Sequence, residues 1–219
     1  MDRPTLADEL LLIAYDDEEG SAIAGAPALD YGLAAALLIE LALADRVEFA
    51  GGRLTVRDTT PTGEPFADRA LATIAREEHP RKPGEWLQRL SRTLREDLLA
   101  SLVNARVLRR EQGRVLWVFP VTRYPAGDPA PEHAARAAMR QAVHQGPVDA
   151  RTAALCGLVE ATGLARAVGL PAERLKAVAD ERWAADAVRK AVAEVQAAVM
   201  VAISAATVAT TVSTMPGSA

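Results

Sequence analysis

The sequence predicts a mainly α protein made of a single helical domain. Hydrophobic residues make up 50% of the chain and aromatic residues only 4%, so alanine, leucine and valine supply most of the apolar area. Such a composition favours closely packed helices over sheets. A length of 219 residues suits one sizeable core, and residues 1–219 are expected to form one domain. Two short alternating segments at glycine-containing turns complete the expected architecture, a core helix bundle with two peripheral β-hairpins.

Charge and cysteine content exclude two classes of protein. The formal net charge of -4 and a pI near 5.5 argue against a general nucleic-acid binder, which normally carries a strongly basic face. The one cysteine, Cys156, excludes an internal disulfide framework. It lies in an apolar stretch, which predicts a buried structural thiol in a reducing compartment.

Two helices are predicted in the first part of the chain. Thr5 begins the first, which ends near Tyr15 and carries acidic residues in its first turn. Asp30 is the expected N-cap of the second helix, Tyr31 to Asp45, which is apolar nearly all round and belongs in the core. Glu40 lies inside this apolar helix, and we interpret it as a structural carboxylate because it has no catalytic partner nearby in the sequence.

A helix followed by a hairpin is predicted twice. The first hairpin pairs Arg46–Phe49 with Arg53–Val56 around the Gly51-Gly52 turn. The second unit is a helix over Leu94–Asn104 followed by a hairpin. Its first strand starts at Val107, its turn is at Gln112-Gly113, and its second strand is Val115–Phe119. This order is similar to a helix with a wing, so winged-helix DNA binding stays open as a rival function.

Helices are also predicted through the last third of the chain. They are expected near Glu132 to His144, Asp149 to Thr162, Pro171 to Ala179, and from Trp183 into the C-terminal run. The uncharged run Val195 to Val212 contains too few strongly apolar residues to insert into a bilayer, which favours a core helix. The first ten residues lack the layout of a signal peptide, so export by that route is not expected.

No pattern in the sequence indicates catalysis. The three histidines, His79, His133 and His144, are scattered and have no cysteine pair to complete a zinc site. A phosphate-binding glycine loop and a nucleophile elbow are also absent from the sequence. We therefore expect no metal, no cofactor and no enzymatic activity.

The stretch Arg76–Arg110 is locally basic, with nine basic residues against five acidic ones. Within it Arg89, Arg92 and Arg95 step by three, so on a helix they fan across one side and can direct guanidinium groups at one anion. This spacing predicts a candidate phosphate site. The alternative is an ordinary solvated helix face, which the same spacing also allows.

Several strings along the chain carry a resemblance to a known family. They are Leu10-Leu11-Leu12, Gly32-Leu33 leading into Leu38-Ile39-Glu40-Leu41-Ala42-Leu43, Pro61-Thr62-Gly63-Glu64, Arg92-Thr93-Leu94-Arg95-Glu96 with Leu102-Val103 and Val107-Leu108, and Asp149 with Arg151 ahead of Ala154-Leu155. Together they resemble the Golgi phosphoprotein 3 family over nearly the whole chain. The alanine-rich, short form looks like a bacterial-type member.

The resemblance implies a helical core edged by hairpins that recognises the phosphatidylinositol 4-phosphate headgroup on the cytosolic face of a membrane. The family's two phosphate-contacting arginines carry over to Arg92 and Arg95, with Arg89 as an assisting residue. The family's pocket tryptophan and third arginine fall at about Gly25 and Ala34 here. Half of the pocket chemistry is therefore missing, and binding is expected to follow anionic charge more than headgroup identity.

The second hairpin is the predicted surface for self-association. Its apolar run is Leu116, Trp117, Val118 and Phe119, which is too hydrophobic for a solvated wing. The leading hypothesis is a cytoplasmic, peripheral membrane or adaptor protein that binds anionic phospholipid headgroups, on the Golgi membrane only in a eukaryotic cell. A protein-protein scaffold of the same fold without lipid binding is the alternative, and the client protein stays unknown. Nucleic acid is not expected as a partner.

Overall fold

The computed structural model describes residues 4–115, 119–146, 149–180 and 193–205. The mainly α prediction is confirmed, with two small antiparallel hairpins beside the helices. The helices are α1 Leu6–Ile13, α2 Ala26–Leu43, α3 Pro65–Ala75, α4 Pro83–Asn104, α5 Ala130–Gln145, α6 Ala150–Ala161, α7 Ala165–Val168, α8 Ala172–Asp180 and α9 Ala193–Ala205. The strands are β1 Val47–Ala50, β2 Arg53–Val56, β3 Glu111–Val115 and β4 Phe119–Arg123.

Helix α2 is the centre of the core. It packs against α1, α3, α4 and α6, and every residue from Gly32 to Ile39 is buried. By length and mean hydropathy, it is the one helix in the described part of the chain that could span a bilayer. Because 61% of it is buried inside the protein, its apolar character is accounted for by the contacts that it makes with other helices.

The predicted start of α2 is wrong by about one turn. The helix begins at Ala26, with Gly25 as N-cap and Pro27 in the first turn. Proline fits there because its fixed φ suits the helix and the missing N–H would have had no intrahelical acceptor. Asp30 therefore lies inside the helix, and its side chain is available for a partner other than the backbone.

The first hairpin is confirmed in strands and turn. Val47 pairs with Val56 and Ala50 with Arg53, and the two turn residues Gly51 and Gly52 have φ of 59° and 70°. Positive φ at both positions is what a type I′ turn requires.

The second hairpin forms, but the predicted turn at Gln112-Gly113 is wrong. Both residues lie within β3, where Gln112 pairs with Thr122 and Gly113 with Val121. The buried residues Val107 and Leu108, which were interpreted as the first strand, instead close the end of α4. Since β3 is exposed from Glu111 to Arg114, it lacks the apolar alternation that would have revealed its position. Of the predicted oligomerisation residues, Leu116, Trp117 and Val118 lie outside the described residues, and Phe119 begins β4.

A buried ion cluster joins three helices of the core. The Arg151 side chain on α6 is 17% exposed and pairs with Glu40 of α2 and with Glu9 of α1, the latter at 3.3 Å from Nη2. Its Nη2 also donates to the Pro4 carbonyl at 2.5 Å. The interpretation of Glu40 as structural is therefore supported by a buried partner from a distant part of the chain.

The C-terminal helices cover α6 from outside. The α8 and α9 residues Ala179 and Gln196 lie directly above Gly157, where an added Cβ would meet both side chains. Val195 and Val199 of α9 are fully buried, which agrees with the predicted core helix within the described residues. Cys156 is fully buried beside Gly157, and this burial raises the pKa of its thiol to about 12.

Replacing Arg151 with Ala is expected to destabilise the fold by about 3 to 5 kcal/mol, because two largely buried carboxylates would lose their shared cation. Urea unfolding followed by circular dichroism measures this. The control is Arg166→Ala, at an exposed arginine on α7, which should change the free energy of unfolding by about 0.5 kcal/mol or less. A loss for Arg151→Ala no larger than the control's would contradict a central role for the cluster.

Candidate anion-binding site

Helix α4 presents the predicted arginines. Pro83 opens the helix at its first position. Helix α4 packs on α2. Its buried residues recur at helical spacing and include Trp86, Leu87, Leu94 and Leu98. This apolar stripe leaves the intervening charged residues, the three arginines among them, on the outer side of α4.

Arg95 is the arginine that reaches the neighbouring helix. Its Nε and Nη2 lie 2.7 and 2.5 Å from Oδ1 of Asp30, and Nη2 also donates to the Ala26 carbonyl at 2.8 Å. The side chain is 20% exposed. Arg95 therefore fastens α4 to the first turn of α2 and already holds an anionic partner.

Tyr15 closes the other side of Arg95. Burial raises the pKa of Tyr15, while the charge of Arg95 and a hydrogen bond with it act in the opposite direction. The Tyr15 ring packs edge-on against Tyr124, with 6.0 Å between the ring centroids. The environment of Arg95 thus includes Tyr15, which follows α1. Tyr124, which follows β4, packs on Tyr15.

Arg92 is one turn earlier on α4 and is exposed. Within the described residues its side chain makes no ion pair or hydrogen bond. Residues three apart on a helix have Cβ atoms about 5 to 6 Å apart, so Arg92 and Arg95 stand side by side. Their pairing at one anion-binding site stays a prediction.

Arg89 belongs to a different cluster. Its Nη1 lies 2.6 Å from Glu77, and its guanidinium stacks over Trp86 at 5.5 Å from the ring centroid. Glu77 also accepts from Arg81 at 2.5 Å, and the hydrogen bonds from Arg81 and then Arg89 lower the pKa of that carboxyl. Arg89 thus secures the segment before α4, and the structure does not bring it to a shared anion with Arg92.

The N-terminus of α2 lies against Arg95. Gly25, its N-cap, offers no side chain to the first N–H groups, which leaves the positive end of the helix dipole open. Ile23, just before it, is 50% exposed. An anion that approaches this end of α2 would also lie near α4.

The two positions where the resemblance implies other residues differ in character. No atom lies within 4 Å of a Cβ built on Gly25, so there is room for a larger side chain. Ala34 is fully buried, and an arginine there would have to displace its neighbours. Neither position supplies an aromatic ring or a cation in this chain, and Asp30 adds a negative charge beside Arg95.

The basic surplus around α4 is smaller in the structure than in the sequence. Of the nine basic residues between Arg76 and Arg110, four have carboxylate partners, among them Arg81, Arg89 and Arg95. Within the described residues, the five with no ion pair are Arg76, Lys82, Arg92, Arg106 and Arg110. Sequence reasoning did not foresee that Asp30 would neutralise Arg95, because Asp30 was assigned to a helix cap.

The Pro61-Thr62-Gly63-Glu64 turn has a structural role. Glu64 caps α3 by accepting the N–H groups of Phe66 and Ala67 at 3.1 and 2.5 Å. Asp68 in turn accepts from the backbone and hydroxyl of Thr62 at 2.6 and 2.7 Å. The turn holds α3 in place, and it does not contribute to the arginine pair. Among the described residues no group of three possible metal ligands comes together.

These elements define a helical protein in which the exposed Arg92 lies one turn from the partly buried Arg95, beside an open helix N-terminus. The family model for Golgi phosphoprotein 3 (GPP34) matches residues 6–195. The chain belongs to the Golgi phosphoprotein 3 family. The described part of α9 beyond residue 195 lies outside the matched region.

Glu132 is a buried carboxyl that interacts with Asp17 in the loop between α1 and α2. Glu132 on α5 is 2% exposed and pairs with Arg136 at 2.5 Å. Burial, and then a hydrogen bond with the Asp17 carboxyl, raise its pKa from 4.5 to about 7, against the opposing effect of Arg136. Asp17 lies in the loop between α1 and α2, and its carbonyl accepts from Ala126 at 2.9 Å.

Because folding favours the protonated Glu132, its stabilising contribution is present below pH 4.5 and is lost as the pH rises through about 7. Glu132→Gln keeps a neutral hydrogen-bonding side chain, so it should gain about 1 to 3 kcal/mol over the wild type at pH 8 and little at pH 4.5. Urea unfolding across this range tests it, with Glu173→Gln at an exposed site on α8 as the control. A difference from wild type that does not change with pH would contradict the expectation.

Proposed function

We propose that this chain is a peripheral membrane protein that binds anionic phospholipid headgroups through Arg92 and the adjoining N-terminus of α2. It acts by binding and not by catalysis, in the cytoplasm at a membrane surface. The observation that carries the proposal is the unpaired Arg92 one turn from Arg95, which itself contacts the open first turn of α2 at Ala26. Membership of the Golgi phosphoprotein 3 family supports the same reading.

The magnitudes favour weak binding by a single copy. A charge-assisted hydrogen bond contributes about 1.5 to 3 kcal/mol, and a basic residue near an anionic bilayer about 1 kcal/mol. A helix N-terminus adds about 0.3 to 1 kcal/mol. Micromolar affinity needs about 8 kcal/mol, so Arg92 and the helix end fall short unless other parts of the surface contribute.

The second hairpin offers such a contribution. The exposed arginines in the hairpin and just before it are Arg109, Arg110, Arg114 and Arg123. Between β3 and β4 the chain reads Leu116-Trp117-Val118, an apolar sequence. Exposed Ile23 adds an apolar group near α2. Basic residues together with apolar ones suit an anionic membrane surface, since charge attracts the protein and apolar groups enter the headgroup region.

Replacing both Arg92 and Arg95 with Ala should weaken binding to anionic liposomes by about 2 to 4 kcal/mol at low salt. Flotation with phosphatidylserine, phosphatidylinositol 4-phosphate and neutral vesicles measures it. Arg92→Ala alone should account for most of the loss, because Arg95 is already paired with Asp30. The Arg109/Arg110 double alanine variant should lose less, since those residues act through the diffuse field.

Two controls separate the loss of this site from a general loss of positive charge and from unfolding. Arg166→Ala removes an exposed positive charge on α7 and should reduce flotation only slightly. Circular dichroism of each variant excludes unfolding, which matters for Arg95 because its loss leaves Asp30 without that partner. Tight, headgroup-selective binding that survives the double replacement would contradict the proposed site.

A protein-protein scaffold is the second candidate function, favoured by the second hairpin. Its β3 residues from Glu111 to Arg114 are exposed, as are Pro120, Thr122 and Arg123 of β4. A two-stranded hairpin alone is marginally stable in water, so a partner surface would stabilise it. A chain that binds no vesicle yet self-associates would favour this reading, and salt-sensitive binding to duplex DNA would favour the winged-helix rival.

Replacing Leu116, Trp117 and Val118 with Ser should shift the chain toward a monomer if the hairpin is the contact between copies, because the change removes the apolar run. Size-exclusion chromatography with light scattering measures the mass. Ile23→Ser is the matched control, since it removes an exposed apolar side chain at a different surface. An unchanged mass in a chain that self-associates as wild type would exclude the hairpin as the contact.

A further inference from the structure

The geometry points to Asp30 as an internal anion that occupies Arg95 and so excludes phosphomonoester headgroups from the site. This inference rests on the proposed function and specifies its ligand preference. In the wild-type chain, Arg92 interacts with the negative charge of the membrane surface, while Arg95 does not contact the headgroup. Asp30 is therefore a specificity-determining residue, and its removal converts the site into one that prefers a terminal phosphate.

The hydrogen bonds of Arg95 leave little of its guanidinium for an external anion. A guanidinium has five N–H donors. The Nε–H donates to Oδ1 of Asp30 at 2.7 Å, and Nη2 donates to the Ala26 carbonyl at 2.8 Å. Nη2 also lies 2.5 Å from the same Oδ1 as an ion pair. The Nε and Nη2 edge, which binds a carboxylate or phosphate through two parallel hydrogen bonds, is therefore already in use.

Charge leads to the same conclusion. The carboxylate of Asp30 neutralises Arg95, so within the described residues Arg92 is the arginine of these two that has no ion pair. A phosphomonoester carries nearly two negative charges at neutral pH, and at Arg95 it would lie beside a carboxylate. A phosphodiester headgroup, such as that of phosphatidylserine, can interact with the exposed Arg92 without a contact to Arg95.

The pair also holds α2 against α4, and a purely structural role is the alternative. The two roles differ in what happens when the carboxylate is made neutral. In a structural pair, Asp30→Asn would lower stability and leave ligand preference unchanged. In the proposed role, Arg95 is released while still able to point toward Arg92, and a new selectivity follows.

The test compares wild type, Asp30→Asn and Asp30→Ser on two sets of vesicles of equal zeta potential. One set contains phosphatidylserine and the other phosphatidylinositol 4-phosphate. We expect each Asp30 variant to bind the second set about tenfold more tightly than wild type, because a charge-assisted bidentate contact is regained. On phosphatidylserine the gain should be about fivefold or less, because one unit of charge near the surface contributes about 1 kcal/mol.

Asp97→Asn is the matched control. Asp97 lies on α4 and pairs with Arg69 at 2.7 Å, so its replacement changes the charge of the same helix equally without releasing Arg95. It should raise binding to both vesicle sets alike. The double variant Asp30→Asn with Arg95→Ala should lose the selective gain, since the released guanidinium is then absent.

Titration of Asp30→Asn with inorganic phosphate separates the two sources of the ligand. Binding in solution identifies the phosphate group alone as sufficient, and binding only on vesicles identifies the headgroup at the membrane; either result supports Asp30 as the excluding residue. Equal gains on both vesicle sets, or a selective gain that persists without Arg95, would overturn the inference while leaving the proposed function intact. If neither wild type nor a folded Asp30 variant binds any vesicle, the proposed function fails and this inference with it.

Discussion

One buried cation sets the arrangement on which the rest of the fold depends. Arg151 of α6 pairs with Glu9 of α1 and Glu40 of α2, three residues that are far apart in the sequence. None of these charges is tolerated in the core without the others, because an unpaired buried ion costs several kcal/mol. Helices α1, α2 and α6 must therefore come together in one register before the apolar surfaces around them can close.

Helix α2 connects this buried cluster to an ion pair near the surface. Glu40 fixes the C-terminal half of α2, and Asp30 near its other end meets Arg95 of α4 at 2.5 Å. Since the helix rises about 1.5 Å per residue, the two ion pairs are separated by about 15 Å of buried helix. Core packing thus determines where Arg95 is held, and with it the position of Arg92 on the same face of α4.

The sequence was sufficient for features whose signal is local. The Gly51-Gly52 turn and the Thr5 start of α1 depend on nearby residues, and the capping box of Thr5 with Asp8 is present as hydrogen bonds of 3.0 Å. The paired Arg92 and Arg95 followed from helical spacing and the family resemblance. What failed depended on distant contacts: the Asp30 partner lies 65 positions away, and an exposed strand such as β3 has no apolar period to reveal it.

The reactivity of the Cys156 thiol reports on the separation of the C-terminal helices from α6. The thiol is fully buried on α6, next to the point where α8 and α9 cover Gly157, and its pKa of about 12 keeps it protonated at neutral pH. Only the thiolate reacts readily with alkylating reagents, so labelling requires the covering helices to separate. The rate at which Cys156 is alkylated in the native protein therefore measures how often the C-terminal helices leave the core.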